Sequence, residues 1–485
     1  MGVLVMLAML LLGAPVARAD DRPMNVVLVI IDDLGWADIS PNQPETFYRT
    51  PRFERLAAEG VNFRRAYAAS PVCSPARVSI ITGADPARLQ TTEWFGSGPA
   101  RSERMLSADR INWLPNHVPT IAERLGPLGY ATSYVGKWHL GGARRHLPPA
   151  RGFDHVVAAG RQGNPGRDGY FAPYNGFIGL EAPPGEHLPE RLTSETISFI
   201  RSSHADGPFL AVLSYYHVHT PLAGREDLVT NYHKRAERFD PAAPRFADEE
   251  QVWDRAEPRR VRVVQDHPVY AAMVEAVDEQ LGRLLDALEN MGLEENTVVF
   301  VVSDNGGLST AEGSPTSNLP LRGGKGWLYE GGLRVPLLVR WPGVTEGGPE
   351  SDTPVHTHDV FASVLDAAGL EAEGTSGVSL RLSMRDRRRD RELFFHYPHY
   401  SNQGGFPGGV LIDGDWKLVR RYEDGSLNLY NVRRDPGEST DLAATERRRA
   451  QRMARRLDRW LIETGAFPLS ARPDGPAPWT PRSDP

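Results

Sequence analysis

One cysteine in 485 residues rules out a disulfide framework and a cluster of thiolates around a metal. Packing and bound groups must therefore supply the stability. No apolar run reaches the length that spans a bilayer. Positive charge is in no excess either: 55 Lys and Arg stand against 62 Asp and Glu, a net charge of −7. That balance gives no general pull toward nucleic acid, so any anion-binding site must be local. Hydrophobic residues at 40% and charged residues at 24% are ordinary for a globular chain. The length exceeds one compact core and predicts two domains, or one large domain with an appendage.

The chain opens with a short apolar run, Val3 to Leu12, followed by Ala17-Arg18-Ala19 before Asp20. This pattern predicts a signal peptide over residues 1–19, cut near Ala19, and export to a periplasmic or extracellular space. No Lys or Arg precedes the run, so a buried N-terminal helix or a lipid-facing anchor is the alternative.

From Asn25 the pattern alternates. Asn25 to Ile31 is a continuous β-branched run that fits a strand buried on both faces. Thr50-Pro51 opens a helix that closes at Gly60, and Val61 to Tyr67 reads as a second strand. Strands follow at Ala131–Val135, Phe209–Tyr216, Val298–Val302 and Val335–Arg340. Helices are expected at Thr120–Leu128, Tyr270–Met291 and Asp359–Ala368. The alternation predicts an α/β fold with a large, mainly parallel sheet flanked by helices. The composition shifts after Gly369, and Gly374 to Asp390 is polar and Arg-rich. Four short strand candidates then lie between Glu392 and Asn431, with turn residues between them, and a helix spans Asp441 to Thr464. These predict a smaller C-terminal antiparallel sheet with a terminal helix. The divisions are 20–373 for the larger domain, 374–466 for the smaller and 467–485 for a proline-rich tail.

Polar groups collect just past the strand ends: Asp32 and Asp33, Lys137 and His139, His219, then Asp304 and Asn305. In open α/β sheets the ligand crevice lies at that edge. Asp32, Asp33, Asp304 and Asn305 are all oxygen donors. Three carboxylates brought together repel unless a cation joins them, and that donor set suits Ca2+ better than Mg2+.

The lone Cys73 lies in Ser70-Pro71-Val72-Cys73-Ser74-Pro75-Ala76-Arg77, with Thr82-Gly83 downstream. The pattern Cys-x-Pro-x-Arg-x-x-x-x-Thr-Gly resembles the signature of the formylglycine-dependent sulfatases. Gly136-Lys137-Trp138-His139-Leu140-Gly141, His217-Val218-His219-Thr220-Pro221, Ser303-Asp304-Asn305-Gly306 and Gly323-Gly324-Lys325-Gly326 follow in that family's order. The resemblance covers roughly Asn25 to Leu442 and points to an arylsulfatase-like member of the alkaline-phosphatase-like superfamily.

The resemblance implies that a maturation enzyme converts Cys73 to formylglycine, whose hydrate attacks the sulfur of a sulfate ester. It implies calcium on Asp32, Asp33, Asp304, Asn305 and an oxygen of residue 73. Arg77 would orient the hydrate. Lys137 and Lys325 would neutralise sulfate oxygens, His219 and Lys325 would protonate the leaving alcohol, and His139 would act as base. The loop around His396 and His399, rich in aromatic and polar residues, is the candidate for contacts to the alcohol part of a sulfated small molecule or glycan. A phosphoester or phosphonate hydrolase, and a non-catalytic binder of sulfated glycans, stay open as alternatives. Trp138 and Trp327 read as packing, Glu275 and Asp278 as a solvated helix face, and the Arg runs at 385–391 and 447–456 as exposed.

Overall fold

The computed structural model describes residues 23–481, apart from 99–103, 167, 178–179, 254–255, 346–347, 349, 386–390, 467–468 and 474. The expected signal peptide lies outside these residues, as does most of the first Arg run. No helix among the described residues is long and apolar enough to cross a membrane.

The larger domain is built on an eight-stranded sheet. Its order is Glu350–Ser351, Val61–Phe63, Leu337–Arg340, Thr297–Ser303, Asn25–Ile31, Phe209–Ser214, Ala131–Gly136 and His155–Val157. All neighbours are parallel except Leu337–Arg340, which runs antiparallel to both of its partners. The apolar run at Asn25–Ile31 is buried throughout. Its side chains alternate, as a pleated strand requires. Val27, Val29 and Ile31 join the core with the helices Leu188–Ser203 and Pro268–Asn290, while Val26, Leu28 and Ile30 join the core on the opposite face. Helices Cys73–Thr82 and His358–Ala367 pack there.

Two expected strands are divided. Val61–Tyr67 becomes Val61–Phe63 and Ala66–Tyr67, the latter pairing in a separate three-stranded sheet. Val335–Arg340 breaks at Pro336, which has no N–H for a ladder. The helix expected to Leu128 is α-helical over Ile121–Leu125 and tightens into a 3-10 turn over Gly126–Leu128.

The smaller sheet is the antiparallel meander Glu392–Tyr397, Gly408–Asp413, Trp416–Arg421 and Leu427–Asn431. The amphipathic helix Arg447–Thr464 packs on it through Ala450, Met453, Leu457 and Leu461. A buried ion group ties this sheet to the larger domain: Lys417 Nζ lies 3.1 Å from Glu330 and 2.9 Å from Glu438. Glu438 also accepts the Glu330 N–H at 2.6 Å. The described part of the tail is docked, with Trp479 stacked on Tyr422.

Asp278 overturns the expectation of a solvated helix face. It is buried, and its carboxylate accepts the N–H groups of Arg52 (2.9 Å) and Phe53 (3.0 Å) at the start of the Pro51–Glu59 helix. Trp138 and Trp327 are fully buried packing residues, as expected.

Candidate active site

Strands Thr297–Ser303, Asn25–Ile31, Phe209–Ser214 and Ala131–Gly136 are consecutive neighbours, and all four run parallel. Their carboxyl ends therefore deliver Asp304 and Asn305, Asp32 and Asp33, His219, and Lys137 with His139 to one edge. The close approach is strict at Gly136: its φ is +104°, and a Cβ there would fall 1.8 Å from the Ser214 carbonyl oxygen. Only glycine fits.

Cys73 is the first residue of the helix Cys73–Thr82, which ends on Gly83 in the left-handed conformation. It thus sits where free N–H groups and the positive end of the helix dipole favour an oxyanion. One turn on, Arg77 is fully buried. Its guanidinium donates to Asp304 at 2.7 Å, to the Lys137 carbonyl at 2.8 Å and to Ser214 Oγ at 2.7 Å, and it lies 3.6 Å from Asp32. Lys137 Nζ donates to Asp32 at 2.6 Å and Lys325 Nζ to Asp33 at 2.8 Å. Asn305 Nδ2 donates to Asp33 at 2.8 Å, and the Asp33 N–H donates to Asp304 at 3.2 Å. The ring of His219 lies 3.7 Å from Asp33.

Asp32, Asp33 and Asp304 bring ligand atoms within 4.8 Å of one another, so they form a set that can hold a metal ion. The expectation that only an added cation could relieve their repulsion needs correction. Arg77, Lys137 and Lys325 already oppose the three charges one for one. Three buried atoms of the cluster have no hydrogen-bond partner: the acceptors Asp32 Oδ1 and Asn305 Oδ1, and Arg77 Nη2, which lies 3.6 Å from Asp32 Oδ1. Burial, with Asp304 and Asp33 nearby, pushes the Asp32 carboxyl well up despite Lys137 and Arg77. At Asp33, burial pushes the same way but is outweighed by Lys325, His219 and Lys137, which hold the carboxyl well below its usual range. Two acceptor oxygens aimed into an acidic cluster fit a hard divalent cation.

Cys73 Sγ lies 3.5 Å from His139 Nδ1. His139 Nε2 is 3.0 Å from the Phe95 carbonyl, which can only accept. Nε2 therefore carries the proton, and the Nδ1 lone pair faces Cys73. Burial, then the charge of Lys137, holds this imidazole neutral, well below its ordinary range. Burial also pushes the Cys73 thiol up, against Lys137 and Lys325. An unmodified Cys73 would be a protonated thiol at neutral pH and a poor nucleophile. His219 is lowered to about 4 by burial and Lys325, with Asp33 opposing. Lys325 is held charged: burial disfavours its proton, but Asp33 outweighs that.

His396 and His399 stand apart from this group. His396 Nδ1 meets Tyr422 OH at 2.8 Å, and His399 Nε2 meets Thr92 Oγ1 at 2.8 Å, both buried. His399 thus braces the segment that carries the Phe95 carbonyl. Three contributors were not foreseen. Ser214 bonds Arg77 and the Lys137 carbonyl; as a strand-end residue it was open to the same argument as its neighbours. The Phe95 carbonyl fixes the His139 tautomer, and nothing in the sequence marks it. Glu312 stands at the rim, accepting from Thr220 Oγ1 at 2.9 Å and Gln403 Nε2 at 2.8 Å.

The sulfatase family model matches residues 24–370, a span that holds every residue of the cluster. The chain belongs to the sulfatase family. The sulfatases are sulfuric ester hydrolases, and this chain is such an enzyme. A second model, N-sulphoglucosamine sulphohydrolase C-terminal, matches residues 324–464. A sulfatase of Formosa agariphila is 30% identical, the match covering 92% of this chain and 90% of that one. The mouse N-acetylgalactosamine-6-sulfatase is 30% identical over 81% of this chain and 71% of that protein. Among solved structures, Ps i-CgsB in complex with k-i-k-neocarrahexaose superposes with a TM-score of 0.73 at 24% identity, covering 91% of this chain and 94% of that one. That likeness is one of fold.

Proposed function

We propose that this sulfatase cleaves sulfate esters of carbohydrates, with formylglycine made from Cys73 as the nucleophilic residue. A divalent cation, calcium before magnesium, would be held by Asp32, Asp33, Asp304, Asn305 and an oxygen of residue 73. The observation that carries the proposal is the buried Cys73 at a helix N-terminus, within reach of a neutral imidazole and beside a carboxylate set already braced by Arg77. The modified residue would supply a hydroxyl nucleophile, and the cation would lower that hydroxyl's pKa.

The chain's own residues do the rest. Arg77 fixes Asp304 and, through the Lys137 carbonyl, the position of Lys137. Lys137 and Lys325 offer charged N–H groups to sulfate oxygens as negative charge grows. Lys325 holds a proton for the leaving oxygen at every working pH. His219 can share that role once the negative charge of the ester stabilises its imidazolium. His139 Nδ1 accepts a proton from residue 73. Two of the names favour a sugar, N-acetylgalactosamine-6-sulfatase and the N-sulphoglucosamine sulphohydrolase C-terminal model, while the steryl-sulfatases among the relatives point to a sterol ester.

The test joins mass spectrometry to kinetics. Digestion of active enzyme should give a Cys73 peptide lighter than the thiol form. Cys73→Ala should fold normally and release no sulfate from a 6-sulfated sugar. Wild-type-like turnover by that variant would sink the mechanism.

A further inference from the structure

Residue 74 is an open position in the pattern Cys-x-Pro-x-Arg, yet Ser74 is as fully buried as Arg77. It is the second residue of the helix Cys73–Thr82. A serine near a helix start ordinarily bonds its own backbone or that of a close neighbour. Ser74 instead makes both of its side-chain hydrogen bonds outside the helix. Its hydroxyl donates to the His139 carbonyl at 3.0 Å and accepts the Phe95 N–H at 2.9 Å. His139 Nε2 in turn donates to the Phe95 carbonyl at 3.0 Å. The three bonds close a ring that runs from Ser74 to His139, from His139 to Phe95 and from Phe95 back to Ser74. Each residue donates once and accepts once. All three are buried, so removing the hydroxyl leaves a carbonyl and an N–H unpaired.

The ring matters because of the strain it holds. His139 has a φ of +57°, a left-handed conformation that costs energy in any residue with a Cβ and persists only where the surroundings fix it. Two bonds fix it: the His139 N–H donates to the Gly160 carbonyl at 3.2 Å, and Ser74 donates to the His139 carbonyl. The imidazole is walled by Gly163, where a Cβ would fall 2.8 Å from Cε1. So placed, Nδ1 lies 3.5 Å from Cys73 Sγ. Ser74 is the covalent neighbour of Cys73 and also grips the backbone of His139. One residue therefore sets both ends of that distance. His399 steadies the Phe95 segment from the far side, through Thr92.

We propose that Ser74 is a positioning residue, which holds the Nδ1 lone pair of His139 on residue 73 and so governs how readily residue 73 gives up its proton. This rests on the hydrolytic reading above, in which His139 Nδ1 accepts that proton. No bond to Ser74 forms or breaks.

Ser74→Ala keeps Cys73, Pro75 and Arg77, so the Cys-x-Pro-x-Arg pattern stays intact. Rates are divided by the formylglycine content found by mass spectrometry. With 4-nitrophenyl sulfate, kcat should fall about ten-fold and KM should not rise, since the hydroxyl bonds His139 and Phe95 alone. In a His139→Ala background the same change should cost at most about two-fold, because Ser74 acts through the imidazole. Ser74→Cys fills a similar space with a weaker donor and acceptor, so its kcat should also fall, and it serves where the alanine variant is unstable. An unchanged kcat in both variants, a raised KM with kcat kept, or an equal cost with and without the imidazole would overturn the inference. Nitrogen NMR of histidine-labelled Cys73→Ala gives a readout without turnover. The His139 signal, identified by its loss in His139→Gln, should show a proton on Nε2. Adding Ser74→Ala or Ser74→Cys should speed exchange of that proton with water, about ten-fold for alanine. Unchanged exchange would overturn the inference. If formylglycine-containing enzyme hydrolysed no sulfate ester while this exchange difference persisted, the hydrolytic reading would fail and the positioning of His139 by Ser74 would stand.

Discussion

Replacing Asp278 by Asn should make the protein more stable at alkaline pH and leave it nearly unchanged in acid. The carboxylate accepts two N–H groups of the Pro51–Glu59 helix, which favours its charge, yet burial dominates and pushes it up to about 7. An ordinary aspartate titrates near 4, so the displacement is about three units, or roughly 4 kcal/mol. The folded state therefore holds a proton that the unfolded chain has released between pH 4 and 7, and stability falls as pH rises through that window. Below pH 4 both states are protonated and the penalty vanishes. Asparagine keeps the carbonyl acceptor and carries no charge. The advantage of Asp278→Asn should thus grow by about 2–3 kcal/mol between pH 5 and pH 8, most of it before pH 7.5. Urea unfolding followed by tryptophan fluorescence at closely spaced pH values would measure it. Parallel stability curves for the two proteins across that range would refute the burial argument, because every other titrating group is common to both.

Two further outcomes follow from the site. Exhaustive chelation should abolish sulfate release but lower thermal stability only moderately, since Arg77, Lys137 and Lys325 keep the carboxylates paired. Calcium at a hundred times its Kd should restore about 2.7 kcal/mol, and full activity in metal-free enzyme would remove the cation from the mechanism. His399→Ala should lower kcat/KM for a sulfated saccharide by roughly 1–3 kcal/mol, the cost of leaving its buried Thr92 partner unpaired and the Phe95 segment less fixed. The loss on 4-nitrophenyl sulfate should be similar, because the histidine acts through Thr92 and the segment whose Phe95 carbonyl fixes His139, which serves both substrates. A loss in kcat/KM confined to the saccharide would refute that bracing role and put His399 in contact with the sugar.

Much of the site was legible because chain order and sheet order supply the same information. A buried strand announces itself by a continuous apolar run, and the residues just beyond it must sit at the sheet's carboxyl edge. Asp32, Lys137, His219 and Asp304 needed only that their strands be neighbours, which Ile31 opposite Ser303 and Gly136 opposite Ser214 establish. The smaller sheet was legible for the same reason, with short alternating strands separated by turn residues. What failed was partnership across long separations. Asp278 has the spacing of an exposed helical residue, and only the arrival of Arg52 and Phe53, 226 and 225 residues away, makes it a cap. Pattern alone could not show that Lys417 is buried between Glu330 and Glu438, because the burial of a charge depends on which opposite charges the fold brings to it.

The same limit explains the carboxylate cluster. Composition reveals three acids and three bases near strand ends, but not that each acid already has a base. Lys137 and Lys325 lie against Asp32 and Asp33, the groups proposed to hold the cation. A cation among the carboxylates and an anion near the lysines therefore favour each other. The first takes over the charge that the lysines were balancing, and the second uses the N–H groups so released. By linkage, whatever tightens one must tighten the other by the same factor. Arg77 has no such freedom: three hydrogen bonds from a fully buried guanidinium fix it between Asp304, Ser214 and the Lys137 carbonyl. The site thus pairs one immobile cation, which keeps its frame, with two on flexible stems that can change partner, and Lys at 137 and 325 with Arg at 77 is the division of residue types that such a site requires.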